Sequence, residues 1–567
     1  MKKQLFSCFS LFPVALFAVP CLVGCGGKAS SEDGDKIVLR VLNSADYIYE
    51  EDSPENYDEG CEYNKHFVYD VNDPEQYDLE TNTIIQPKPN MTKQFEKYMK
   101  DVKGLNVSVV YDTFDTNETM FNALKLGKSK YDIIVPSDYM VQKLISHNLI
   151  QDISQYVKNT EINDHVSSYL QDIFKGIYPK SLDTNEYMTD KPISNYSIPY
   201  MWGTVGIMYN PEFYVGADGD WDSIIESMKS WEALYSEQFK NSFSIKDSVR
   251  DVYAMSILHA FKDEIAGLDP EDPEFNKKLN AIFNRCDNET LNIVKEDMMK
   301  LKANSFGFEV DSGKTDMVTG KIGANLAWSG DATWAIFQAE SDYEKELYFS
   351  IPEEGSNIWF DAFAVPTVSE HPDIAVEFIN FMSQPTNAIQ NMWYVGYTSA
   401  VSGDDVLDYV KENYDVEYNG YFYSDVDEDG NELDEEEAIL LEEAAIAEYE
   451  AEYDESGENQ YDISYFFDGS ADAIFYPSPD VIGRTLTAQF PEKSDLNHLC
   501  VMDDFGNQNE AVLDMWEKVR TNSLPVWAIV ILVVEFLAVI SVVIYFAINK
   551  GIKKSLKKQR RLERMQN

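Results

Sequence analysis

The chain has 567 residues, of which 44% are hydrophobic and 13% aromatic, enough for a sizeable core or for two lobes. Its 99 Asp and Glu against 46 Lys and Arg leave a formal charge of -53, which argues against nucleic acid as a partner, because neutralising phosphates takes Lys and Arg, and suits a cationic ligand better. The six cysteines and six histidines show no CxxC or HExxH spacing, and no Ser-His-Asp signature, P-loop or GxGxxG stands out, so neither a zinc site, a cofactor nor an enzyme is expected.

At the start, Lys2 and Lys3 precede an apolar stretch from about Phe12 to Val23 that runs into Leu22-Val23-Gly24-Cys25, the layout of a secretory signal over residues 1–25. The small residue before the cysteine resembles the lipobox of bacterial lipoproteins, which implies that Cys25 is lipidated; an uncleaved signal anchor is the alternative. Next, Ile37 to Leu42 reads as a strand, Asn90 to Met99 as a helix, Leu105 to Tyr111 as a strand and Thr116 to Leu126 as a helix. Tyr131 to Pro136 is the next strand, followed by a helix through Met140 to Ser146. This βαβα rhythm predicts an α/β fold with a largely parallel sheet, whose ligands bind beyond the carboxyl ends of the strands.

Two stretches interrupt the rhythm. Residues 49–89 and about 404–472 are rich in Asp, Glu, Asn and Tyr and lack a sustained apolar period, apart from a helix-like run from Glu435 to Tyr453, so they read as acidic insertions. Within the second, Asp425, Asp427, Asp429, Gly430 and Glu436 have the spacing of an EF-hand calcium loop, although Glu432 stands at the usual apolar position and Asp429-Gly430-Asn431 is equally a hairpin turn. At the far end, Pro525 to Ile548 is long and apolar enough to cross a hydrocarbon layer about 30 Å thick, interrupted only by Glu535. Eight Lys and Arg follow in residues 549–567, which places this tail in the cytoplasm and the bulk of the chain outside.

Several spaced motifs stand in a common order: Asn43 to Ile48, Tyr111 to Leu124, Tyr131 to Tyr139, Tyr196 to Gly203, Trp359-Phe360-Asp361 with Ala364-Val365-Pro366, and Gly396-Tyr397. Together they resemble the bacterial spermidine/putrescine-binding proteins over roughly residues 36–401, without the first insertion. The resemblance implies a two-lobed, type II periplasmic-binding-protein-like fold with the ligand in the cleft between lobes. Lobe 1 would comprise 36–203 and 360–400, and lobe 2 would comprise 204–359 and 401–522, with crossings near Gly203 and Phe360 and a third soon after Ala400. It implies capture of a polyamine, with a permease and an ATPase as separate partner proteins at the membrane.

Carried over position by position, the resemblance makes Asp46 and Tyr47, Ser137 and Tyr139, Asp251, Trp328, Trp359, Asp361 and Tyr397 the expected ligand contacts. Carboxylates would pair with ammonium groups while rings cover the methylene chain. Trp359 and Asp361 also make sense by spacing, since residues two apart on a strand share a face; a boundary strand with one buried Trp and one solvated Asp fits the same spacing. Ser137 could simply cap the following helix, and Asp251 sits in the first turn of a helix starting near Asp247-Ser248, beside an Arg250 expected to orient it. Ser44 and Ser248 depart from the family's pattern, which has a large aromatic and a second carboxylate there, and tilt the expectation slightly towards the shorter diamine. Two other classes remain open: a surface protein that binds a partner through its acidic insertions, and a hydrolase with paired carboxylates, for which no spacing is recognisable.

Overall fold

The computed structural model describes residues 36–50, 77–78, 83–84, 90–127, 130–424, 426, 433–456 and 460–521. The leader with Cys25, most of the first acidic insertion, Asp425, Asp427 and Asp429 of the calcium-like loop, the span 525–548 and the basic tail lie outside these residues. Among the described residues no helix is long and apolar enough to cross a membrane, and no cluster of His, Cys, Asp and Glu is arranged to hold a metal ion. The chain divides into two compact units, Met1–Val512 and Leu513–Asn567; the first holds the sheet and the candidate site.

Alternation of apolar residues makes Ile37–Ser44 a strand whose Leu39 and Val41 are buried, and it pairs in parallel with Val107–Phe114 and with the short strand Ile133–Ile134. The intervening helices are capped locally. Asn90 accepts from Lys93 N ahead of Met91–Asp101, and Thr116 forms a reciprocal capping box with Thr119 ahead of Asn117–Lys125. The predicted βαβα unit is therefore present. Its third strand, Ile133–Ile134, is shorter than Tyr131 to Pro136 suggests, and Pro136 has no N–H to continue the ladder beyond it.

Among the described residues the main sheet runs in the order Val107–Phe114, Ile37–Ser44, Ile133–Ile134, Ser356–Ala364, Ser197–Tyr209, Ala324–Trp328, Phe243–Lys246 and Gly307–Glu309. It is mixed rather than largely parallel. Ser197–Tyr209 is antiparallel to Ser356–Ala364 and to Ala324–Trp328, whereas the outer pairs on both sides are parallel. The reason is that these two long strands carry the chain between the halves of the sheet, one outward and one back. Residues 197–204 pair with Ala364–Ile358 in the first half, and residues 205–209 pair with Trp328–Ala324 in the second.

The stretch after Ala400 packs differently from its expected place in lobe 2. Thr398–Ser399 pairs with Met201–Trp202, and Val406, Leu407, Val410 and Tyr414 of the helix Asp404–Tyr414 join the same core as Leu39 and Val41. Their spacing gives this acidic helix an apolar stripe that composition conceals. Tyr461, Ile463, Phe466 and Phe467 join that core too, with Phe466 stacked 5.4 Å from Trp202. The chain reaches the second half only near Gly483 and Arg484, which bond to Phe349 N and Leu347 O, before Leu499–Cys500 pairs with Ser356–Asn357. The predicted helix-like run in the second insertion is the helix Glu435–Ser456.

Candidate functional site

The site forms where the two long strands cross between the halves. Asp361 lies on Ser356–Ala364, next to a register shift between Asp361 and Ala362 that breaks the regular ladder. Its two carboxylate oxygens accept from two hydroxyls: Tyr47 Oη donates to Oδ2 at 2.8 Å and Ser137 Oγ to Oδ1 at 2.6 Å. Ser137 occupies the N-cap position of the helix Asp138–Ser146 yet makes no side-chain capping bond, so its hydroxyl serves the carboxylate instead.

Tyr47 reaches Asp361 because the preceding residue, Asp46, turns the chain with φ 53°, a conformation Asp tolerates better than most residues. The Tyr47 carbonyl then accepts from Tyr200 Oη and Asn43 Nδ2. Asp46 itself is exposed. Asp46 thus shapes the turn, while its neighbour enters the cluster.

Three further aromatics stand around the crossing. Tyr397 packs edge-on against Tyr47 at 5.3 Å and lies 5.6 Å from Trp359. Trp359 is anchored through Nε1 to the Thr204 carbonyl at 3.2 Å. Close approach demands small residues here: a Cβ at Gly203 would lie 2.7 Å from the Trp359 ring, and one at Gly330 would lie 2.2 Å from Tyr397. Trp328 ends the strand Ala324–Trp328 on the opposite half, so the rings come from both sides of the crossing.

Asp251 is buried in the first turn of the helix Val249–Ala260, whose N-cap Ser248 accepts from Asp251 N, so the helix starts where the sequence predicts. Burial raises the Asp251 carboxyl above its ordinary range, opposed by the Ser248 hydroxyl, the Trp328 indole and the charge of Lys246. Burial likewise pushes Asp361 up to about 6, against the Ser137 and Tyr47 hydroxyls and with repulsion from Asp251. Neither carboxylate forms an ion pair among the described residues. Two acids that repel each other, neither in an ion pair among the described residues, suit a positively charged guest.

Tyr139 stands slightly apart: its hydroxyl faces Glu118 at 3.4 Å and its ring stacks on Arg250 at 4.1 Å. Arg250 does not serve Asp251 as expected. It is sandwiched against Phe505 at 4.0 Å, donates to the Asp503 carbonyl and to Asn509, and pairs with Asp504 at 3.6 Å.

Sequence reasoning missed three contributors. Asn117 donates to Ser137 Oγ at 3.0 Å and accepts from Ser137 N at 3.2 Å, fixing the serine; it lies inside the Tyr111 to Leu124 motif, which was its only signal. Lys246 and Asp331 form a buried pair at 2.8 Å beside Trp328 and Tyr397. A lysine ending one strand and an aspartate 85 positions later carry no local signature of pairing.

Known proteins share sequence and fold with this chain. The chain is 27% identical over 314 residues to the spermidine/putrescine-binding periplasmic protein of Salmonella typhimurium, covering 54% of this chain and 73% of that one. It is 28% identical over 296 residues to the putrescine-binding periplasmic protein SpuD of Pseudomonas aeruginosa, covering 51% and 70%. A solved structure assigned to a spermidine/putrescine ABC transporter of Listeria monocytogenes shares the fold, with a TM-score of 0.50 and 20% identity over 85% of this chain and 99% of that one. Residues 90–405 match the family described as bacterial extracellular solute-binding protein, and the chain belongs to that family.

Proposed function

We propose that this protein is the substrate-binding component of an ABC importer and captures a polyamine between the two halves of its sheet. The observation that carries this reading is the half-buried Asp361, held by two hydroxyls, walled by Tyr47, Trp359 and Tyr397, and without a cationic partner among the described residues. An alkylammonium supplies what is missing. Its charge pairs with the carboxylate while its methylenes lie against the rings, and both contacts gain strength when water is displaced. Asp251 and Trp328 would receive the other end of the chain, and the relatives named for spermidine and putrescine support this ligand class.

In this reading Pro525 to Ile548 holds the protein in the membrane, lipidated Cys25 is a second anchor, the binding unit faces outward, and permease and ATPase are separate chains. Uptake of radiolabelled putrescine by cells tests the role: deleting the gene is expected to abolish high-affinity uptake, and reintroducing the Asp361→Asn form is expected not to restore it. Uptake unchanged by the deletion would contradict the assignment.

A further inference from the structure

The second half of the sheet brings a cation of its own to the site. Lys246 ends the strand Phe243–Lys246, and its side chain is 1% exposed. Its Nζ lies 2.8 Å from Asp331 Oδ2, 3.1 Å from Glu309 Oε1 and 4.3 Å from the centre of the Trp328 ring. The other oxygen of Asp331 accepts from Tyr397 Oη at 2.8 Å, and Lys314 approaches that oxygen to 3.8 Å. Glu309 is satisfied besides by Gly313 N at 2.8 Å and Asn325 Nδ2 at 3.2 Å.

An ammonium over an indole face, against a buried carboxylate that also holds a wall tyrosine, has the surroundings that a guest ammonium would seek. Here the chain fills that position covalently. Burial alone would lower the Lys246 ammonium, but Asp331 and Glu309 outweigh it and hold the group above its ordinary value. The same lysine holds Asp331 below the usual carboxylate range despite its burial. The lysine is therefore charged.

The charge count around the rings follows. Asp331 and Glu309 are spoken for by Lys246, which leaves Asp361 and Asp251 as the carboxylates with no ion pair among the described residues. Asp138 is also buried nearby, but one of its oxygens accepts from Tyr139 N of its own helix. Two open carboxylates match two ammonium groups.

We propose that Lys246 is a specificity-determining residue that takes the place of a ligand's third ammonium group, so that the site accepts a diamine and disfavours a triamine. The inference rests on the polyamine reading above. A diamine held between Asp361 and Asp251 uses both open carboxylates, whereas the third nitrogen of a triamine would arrive beside Trp328, where Lys246 already occupies Asp331 and Glu309 and leaves it no acid to pair with. Discrimination arises from leaving a charge of the wrong ligand unpaired as well as from attraction for the right one.

Calorimetric titration of the full-length protein in detergent with putrescine and with spermidine tests this. The parent is expected to bind putrescine at least about tenfold more tightly than spermidine, since a third ammonium desolvated without a free carboxylate costs that much or more. Lys246→Met should move the affinity ratio at least about tenfold towards spermidine, because a ligand ammonium can then reach Asp331. Removing Lys246 alone leaves two buried acids and can unfold the protein, so Lys246→Met with Glu309→Gln, which removes one charge of each sign, is measured alongside and should shift the ratio the same way. Spermidine bound as tightly as putrescine by the parent, or an unchanged ratio in the folded double variant, would overturn the role of Lys246 while leaving the polyamine reading intact. Failure of the parent to bind either amine would overturn the polyamine reading and this inference with it.

Discussion

Asp361→Asn separates binding from folding, because the structure assigns the two effects opposite signs. In the free protein burial pushes the Asp361 carboxyl up to about 6. An unfolded aspartate titrates near 3.9, so the folded state holds the proton more tightly, and ionisation at neutral pH costs stability. That cost is absent below about pH 4, grows between about 4 and 6, and reaches a ceiling of about 3 kcal/mol above that window, less in practice because Asp361 is only half-buried. Asparagine keeps the shape without the charge, so the free variant should melt no lower than the parent at pH 7.5, and up to a few degrees higher. With an ammonium guest the sign reverses: losing the charged partner costs about 2 to 5 kcal/mol, which weakens binding by well over tenfold. Thermal melts and calorimetric titrations of the same preparation read both quantities. A variant that binds putrescine like the parent would refute the placement of the ligand, and one that loses binding only in proportion to a collapsed melting temperature would make Asp361 a structural residue.

Other expectations follow from the same geometry. Trp359→Ala should weaken binding by about 1 to 2 kcal/mol with less sensitivity to salt than the loss at Asp361, since the ring contributes desolvation and contact rather than charge; titrations at two ionic strengths compare the slopes. Putrescine affinity should be flat between about pH 7 and 8.5 and fall about tenfold per unit below pH 6, as protons compete with the ammonium for Asp361; a flat profile down to pH 5 would contradict this. Gly330→Ala drives a methyl group into the Tyr397 ring and should cost about 1 to 3 kcal/mol of stability or binding, measured by melts and titration together. Cys25→Ser should abolish acyl labelling while the protein stays in the membrane, and a tag on the C-terminal tail should resist protease added to intact cells.

Much of this was legible in the sequence, and particular residues show where legibility stops. The βαβα opening follows from apolar periodicity and from caps such as Asn90 and Thr116, which are local features. The pairing of Trp359 with Asp361 follows from strand alternation, and the structure brings Asp361 to Tyr47 and Trp359 to Tyr397, which pack on each other. Ser137 illustrates the limit: a serine before a helix reads as a cap, but a partner 224 residues away takes its hydroxyl. The Lys246–Asp331 pair was invisible for the same reason, since nothing near either residue encodes a contact made only when two strands and a helix meet. The stretch after Ala400 was misplaced because its acidity masks the apolar stripe of Val406, Leu407, Val410 and Tyr414. Arg250 was assigned to its sequence neighbour when tertiary partners at Phe505 and Asp504 hold it.

The central claim is that the paired acids and rings at the crossing hold a small polyamine. Calorimetric titration of the parent protein with putrescine and spermidine at pH 7.5 tests it most directly. The account predicts saturable one-to-one binding of at least one of them, putrescine foremost, with a Kd far below about 1 mM and with the affinity lost on Asp361→Asn. Neither amine binding below about 1 mM would contradict it.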